Sequence, residues 1–383
     1  MNRQKNLLYY LNFIKDLNFI PVILSPLVLG AGLSLSDLIL IIAVFRFTQM
    51  IFSIPIGVLS DLIGPVNSLR SVSLLFIISI FCLMPESLTL INFIGFNFFS
   101  ALSVCLLTPA SSKFLKVLDG DHENFTQNLS KNLSYRRLGI TLSGLIASGL
   151  LLLISPKSII YIQLLFALLV LIISFKLDTS LNYKPKFENL IQHLINGFKT
   201  APFREILKVS FLSSSFFIAF DIFIQPVMVG AKIPTPYFPL ILALCNFLVF
   251  ISLKNVPLTL KHLKFNYLQA SIIPLLPLVI LFLTNNYLFS LCSLILTIIC
   301  RPFSVVASAK IVNQSSLNYQ SLNDSLVNTF STGITSMFSF LFSHLVLHYS
   351  LQVSSLIIAL SYMTILLLGI VSKVPLKVAK KSI

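Results

Sequence analysis

Apolar runs of roughly 20 residues recur from one end of this chain to the other, separated by short polar links. Each run can cross a hydrocarbon core about 30 Å thick. Lipid offers no partner to an open strand edge, so the runs are predicted to be helices. Twelve spans follow: Leu7–Leu29, Asp37–Val58, Arg70–Met84, Leu88–Pro109, Tyr135–Ile154, Ser158–Phe175, Ile206–Val229, Tyr237–Leu253, Tyr267–Leu283, Tyr287–Lys310, Asp324–Leu347 and Leu351–Val371. Ser36 is the expected cap of span 2. A polar segment with Lys113, Lys116, Asp119, Asp121 and Glu123 separates spans 4 and 5. The longest polar link, Lys176 to Lys208, follows span 6. Within it Phe187, Leu190, Ile191, Leu194, Ile195 and Phe198 keep helical spacing, as an amphipathic helix on the membrane surface would.

Composition agrees with that pattern. Of 383 residues, 56% are apolar and 10% charged, and the mean hydropathy is +0.94. Soluble domains carry about 25% charged residues, so a soluble globule is excluded. Phe is abundant (34) and Trp absent, which leaves the interfacial aromatic belt to Tyr. The net charge of +15 is spread over short loops and suits membrane topology rather than nucleic-acid binding. With the N-terminus in the cytosol, that side holds Arg3, Lys5, Arg70, the bases between spans 4 and 5, the central-link bases, Lys254, Lys261, Lys264, Lys310 and the tail lysines. The other side holds only Lys157 and Lys232. Both termini are therefore expected inside. The first run is too long for a signal peptide and contains Lys15 and Asp16, so it reads as a retained helix. Cys82, Cys105, Cys245, Cys292 and Cys300 lie within apolar runs without metal-ligand spacing and are expected to be buried small hydrophobes.

One tight link stands out, Ile54 to Leu69. Its Gly57-x3-Asp61-x2-Gly64 resembles the loop signature between helices two and three of the major facilitator superfamily. The family usually has bases after the Asp and after the second Gly, where this chain has Leu62, Pro65 and Val66. The resemblance implies an all-helical membrane protein of two six-helix halves, with a central cavity lined by spans 1, 4, 7 and 10. It also implies that Gly57, Asp61 and Gly64 act as a conformational latch, with Asp61 accepting hydrogen bonds from the start of span 11.

The halves echo each other. Asp16-x4-Pro21-Val22 in span 1 matches Asp221-x4-Pro226-Val227 in span 7, with Phe19-Ile20 and Phe223-Ile224 ahead of the prolines. Parallel repeats leave such traces. The expected division is 1–178 for the first half, 179–205 for the central loop and 206–383 for the second half with its basic tail.

Ionisable residues in hydrocarbon are costly and usually face a cavity or one another. Lys15, Asp16, Arg46, Asp221 and Arg301 qualify. Polar lines continue from them: Asn12 beside Lys15 and Asp16, Gln49 and Ser53 with Arg46, Ser214 and Gln225 with Asp221, and Thr297, Ser304 and Ser308 with Arg301. The candidate substrate and proton pathway is Asp16, Arg46, Asp221, Gln225, Arg301 and Asn12. Arg46 and Arg301 are the expected partners of Asp16, and Lys15 is expected to snorkel toward the cytosol. In span 5, Gly139-x4-Gly144-x4-Gly149 reads as close helix packing. Family members that exchange drugs for protons often carry a Gly-Pro signature in this helix, and no Pro follows these glycines.

No nucleotide loop, metal spacing or nucleophile–base pair is present, which argues against an enzyme. The expectation is a monomeric secondary transporter of the cell (inner) membrane, without cofactor and driven by a proton or other ion gradient. It would export an amphiphilic metabolite, siderophore-like or drug-like. Import of a nutrient or metal chelate, and a non-transporting sensor of the same fold, stand beside that reading.

Overall fold

A computed structural model describes residues 2–119, 122–182, 203–254, 267–298, 301, 303, 304, 307 and 320–369. Among them there is no strand. The helices are α1 (Asn2–Asp16), α2 (Leu24–Gly30), α3 (Leu35–Ile63), α4 (Pro65–Phe81), α5 (Leu90–Asp119), α6 (His122–Leu153), α7 (Pro156–Phe175), α8 (Phe203–Phe217), α9 (Ile224–Gly230), α10 (Phe238–Lys254), α11 (Tyr267–Ile272), α12 (Leu276–Thr284), α13 (Tyr287–Thr297), α14 (Gln320–His348) and α15 (Leu351–Gly369). A π-helical turn, Ile218–Phe223, joins α8 to α9. Among the described residues, seven stretches are long and apolar enough to cross a bilayer by length and composition: Leu35–Ile63, Leu90–Leu118, Gln127–Leu153, Pro156–Phe175, Glu205–Gly230, Thr235–Leu253 and Leu322–His348. The other predicted spans fall on shorter or interrupted helices. The amphipathic stretch 187–198 lies outside the described residues.

Several boundaries depart from the sequence expectation. Ser34, not Ser36, caps α3. Its hydroxyl accepts the Asp37 N–H at 3.1 Å while the Asp37 carboxylate accepts the Ser34 N–H at 2.8 Å, a reciprocal capping box. The polar segment between spans 4 and 5 is largely helix, because α5 runs on to Asp119 and α6 starts at His122. Only Gly64 separates α3 from α4, at φ +85°. A Cβ there would meet the Asn182 Oδ1 at 2.7 Å, and that oxygen accepts the Val66 N–H at 2.9 Å. Pro65 fills the first turn of α4, where a missing N–H costs nothing.

Two long pairings organise the bundle. Helix α3 lies along α14, with Ser36 against Ser343 (3.1 Å), the Phe47 ring edge-on to Phe340, Met50 against Gly333, and the Asn328 amide donating to Ser53 (2.6 Å). Helix α6 lies along α10. There Gly144 admits the Pro239 carbonyl and Ala243, and the Ser148 hydroxyl donates to the Pro236 carbonyl at 2.7 Å. Gly139 does the same for α1, meeting the Phe13 carbonyl. Gly149 has no close neighbour, so the packing role holds for two of the three glycines. Cys105 and Cys245 are buried as expected, whereas Cys292 is exposed.

Candidate functional site: a buried charge cluster between helices

Helix α1 stops at Asp16, and the chain becomes helical again only at Leu24. Proline removes a donor and clashes with the carbonyl four residues before it. For Pro21 that residue is Leu17, where regularity ends. The irregular backbone is satisfied by side chains. Phe19 N–H donates to the Gln163 Oε1 of α7 at 2.7 Å, and Ile20 N–H to the Asn18 Oδ1 at 3.2 Å.

The end of α1 presents Lys15 and Asp16. The Asp16 carboxylate accepts from the Arg136 Nε at 2.6 Å and lies 3.5 Å from the Lys15 Nζ. The expected Asp16–Arg46 and Asp16–Arg301 pairs are thus replaced by a pair with α6. Close contact at Gly139, one turn beyond Arg136, brings α6 near enough to α1 for this. Lys15 does not snorkel: it is 5% exposed, tied to Asp16, with its ammonium 5.6 Å from the centre of the Phe76 ring.

Arg46 turns the other way. Its Nη1 donates to Gln49 at 2.9 Å, and its guanidinium lies 4.1 Å from the centre of the Phe217 ring, the last residue of α8. Arg301 lies over the same ring at 5.0 Å and over Phe216 at 5.5 Å. Arg137 donates to the Asn246 Oδ1 of α10 at 2.9 Å. Guanidinium groups from α3 and from the chain beyond α13 therefore meet at the last residue of α8.

The other predicted residues separate. Asn12 donates to Asn132 at 2.8 Å and to Ser111 at 3.3 Å, deep among α1, α5 and α6, as a structural bond. Gln225 in α9 bonds to Ser25 in α2, joining spans 1 and 7 directly. Ser214 meets the Tyr362 hydroxyl at 2.7 Å. Asp221 lies in the π turn, and its side chain is outside the described residues.

At the end of the bundle where α3 meets α4, Asp61 pairs with Lys113 of α5 at 2.6 Å, both fully buried. Beside it, the Ser112 hydroxyl reaches the Asp324 carboxylate of α14 at 3.5 Å. Gly57, one turn before Asp61, is also buried. Asp324, where span 11 was expected to begin and to meet Asp61, is described with the Ser112 hydroxyl as its partner.

Sequence reasoning missed Arg136, Arg137, Lys113 and Gln163. Lys113 reads as a base of the polar link, and Arg136 and Arg137 fall in the first turn of span 5, at its expected cytosolic end. Gln163 is a lone amide in a long apolar run, which is itself a signal, since buried amides are there to meet backbone groups that helix geometry leaves free.

Residues 7–317 match the sequence profile of the Major Facilitator Superfamily. No curated protein matches the chain in sequence. Among solved structures, a crystal structure of a POT family transporter in complex with 5-aminolevulinic acid superposes with a TM-score of 0.74 at 12% identity, covering 95% of both chains. Another, of a POT family transporter in complex with a thioalcohol-conjugated peptide, gives 0.75 at 12% identity and 95% coverage of each. At that identity the likeness establishes the fold. With a profile match over most of its length, a helical membrane-crossing architecture and charges gathered inside the bundle, this chain belongs to the Major Facilitator Superfamily and is a multi-pass secondary transporter, not an enzyme.

Proposed function

We propose that the chain is a monomeric twelve-span transporter of the cell (inner) membrane, with both termini in the cytosol. In this reading it exports an amphiphilic organic metabolite, siderophore-like or drug-like, in exchange for protons. The halves are 1–178 and 206–383, joined by the 179–205 link. One observation carries the reading: Arg46 and Arg301, from the two proposed halves, meet over the face of Phe217, and Asp16 is paired with Arg136, in a chain where buried charge is costly and usually serves a pathway. Phe216 and Phe217 add an apolar wall beside those charges. The two superposable transporters hold small organic solutes, in keeping with a cargo of that size.

Within the cycle, Asp16 is a fixed partner of Arg136, and Asp221 is the proton carrier. Its position supports that role: it lies in a π turn four residues past Phe217 and five before Pro226, and π turns gather at functional sites. Gly57, Asp61 and Gly64 act as the latch, with Lys113 supplying the base that the loop itself lacks.

The test compares solutes in medium and cytosol of cells with and without the chain, with and without a protonophore. A solute that accumulates outside only with the chain, and no longer does so when the proton gradient collapses, supports the proposal. Accumulation inside would replace it with import. In vesicles carrying that solute, Asp221→Asn should abolish solute-driven proton movement while solute still binds; proton movement equal to the parent's would remove Asp221 from this role.

A further inference from the structure

Two of the chain's five histidines, His344 and His348, stand four residues apart at the end of α14. Side chains at that spacing lie one above the other on a single helix face. Here the two rings meet, with centres 4.7 Å apart and planes inclined at 62°. Both are exposed, although Phe342, Ser343 and Leu345 beside them are buried. The pair lies at the opposite end of α14 from Asp324, which meets Ser112 next to the Asp61–Lys113 pair. Helix α14 has 29 residues. That is about 43 Å of helix, against a hydrocarbon core of about 30 Å. Its last turn therefore reaches the headgroup region, where water and ions are at hand.

A ring–ring contact could be made by any two aromatic side chains. What imidazoles add is a nitrogen lone pair on each ring. Imidazole nitrogen binds zinc at about 2.0–2.1 Å, which puts the ring centre about 3.2 Å from the ion. Two rings bound to one ion at about 90–110° then have centres about 4.5–5.2 Å apart. The observed 4.7 Å falls inside that range. The rings need only turn about the bond that carries them, which leaves their centres nearly in place. An exposed helix face leaves room for that turn. Among the described residues no third His, Cys, Asp or Glu completes a three-ligand set, so water must fill the other positions. Such an open nitrogen site suits zinc, copper or nickel. Magnesium and calcium take oxygen ligands instead.

We propose that His344 and His348 form a two-imidazole site for a divalent transition-metal ion, at the end of the bundle remote from Asp61. The site is separate from the cargo pathway and does not rest on it, so solute flux is not its readout.

The experiment uses the full chain in detergent, purified without a polyhistidine tag. Zinc affinity is read by competition with a metal-binding dye, with magnesium as the control. One equivalent of copper(II) is followed by electron paramagnetic resonance. The parent should bind zinc and not magnesium, and its copper spectrum should show splitting from two imidazole nitrogens. His344→Ala and His348→Ala should each weaken zinc by at least about tenfold, since losing even an outer-shell partner costs that much. The copper splitting should fall to one nitrogen or none. Both positions are exposed, so both variants should fold. Combining His348→Ala with Val346→His keeps two histidines but sets them two residues apart, on different faces of the helix. That variant should bind zinc as weakly as the single ones. His122, His193 and His262 stay in every variant, so binding at those positions would give equal affinities throughout. Equal zinc affinity in the parent and either alanine variant would overturn the site. So would undiminished affinity in the two-apart variant, or a parent that binds zinc no better than magnesium.

Discussion

Spans 1 and 7 carry the same short pattern, an Asp followed five residues later by a Pro, and fold it differently. In both, regular α-helix is lost around the residue four before the proline, Leu17 in one and Ile222 in the other. In span 1 the chain leaves the helix from Leu17 to Ile23. In span 7 it stays helical and widens into the π turn Ile218–Phe223. Proline alone does not decide this, since Pro55 and Pro109 lie inside unbroken helices. The difference is in what can receive freed backbone groups. Span 1 has Asn18, whose side chain takes the Ile20 N–H, and faces Gln163, which takes that of Phe19. Asn18 competes with helix geometry locally. Its counterpart two residues after Asp221 is Phe223, which cannot.

A repeated motif thus gives one span that breaks and one that widens, and we propose that the first is the fixed site and the second the pliable one. Asp16 is locked to Arg136 beside a break braced by side chains, whereas Asp221 lies on a helix one residue out of register. The largest expected effect tests that contrast. Asp16→Asn leaves Arg136 buried without its carboxylate, which should cost about 3–5 kcal/mol of stability. If Asp221 is the proton carrier proposed above, Asp221→Asn should cost far less, because a carrier spends part of its cycle neutral. Thermal unfolding of the two variants side by side checks this. Equal losses would mean that the second aspartate is also a structural partner.

The all-helical build, the tight Gly64 link and the Gly139 and Gly144 contacts were legible in the sequence because each depends on local pattern. Partners were not. The sequence offers Asp16 two arginines, Arg46 and Arg301, and the approach of α6 at Gly139 brings Arg136 to it instead. Lys113 was read as a loop base because three acids follow it, yet α5 carries it a full turn inside, onto Asp61. Lys15 was expected to reach water because lysine often does. Phe76 and Asp16 hold it instead, and no local signal announces a ring three helices further along the sequence.

Gln163 offers the next test. Replacing it with Leu keeps the apolar run but leaves the Phe19 N–H buried without an acceptor. Such a loss is worth about 1–3 kcal/mol, and the variant should unfold earlier by that amount. Gln163→Glu, which keeps the acceptor oxygen, should recover part of it. A Leu variant as stable as the parent would show that the break at Pro21 supports itself, and that the two spans differ for some reason other than their acceptors.

The smallest effect lies where the compared spans touch. Ser25 follows Pro21 by four residues, Gln225 precedes Pro226 by one, and the two side chains bond across the bundle. If span 1 is the rigid member and span 7 the pliable one, this bond registers the second against the first. Polar bonds between membrane helices average only about 0.6 kcal/mol, since the separated helices find other partners. Ser25→Ala and Gln225→Leu should therefore each destabilise slightly, and a double-mutant cycle should return a coupling of that order. The more telling readout is exchange. A single cysteine placed at Val229, on the far side of the π turn, should become more reactive in Ser25→Ala, because loosening the contact frees the pliable helix. A cysteine at Leu27, in the braced span, should not change. Equal changes at both positions would show that the two spans share one rigidity, whatever their backbones look like.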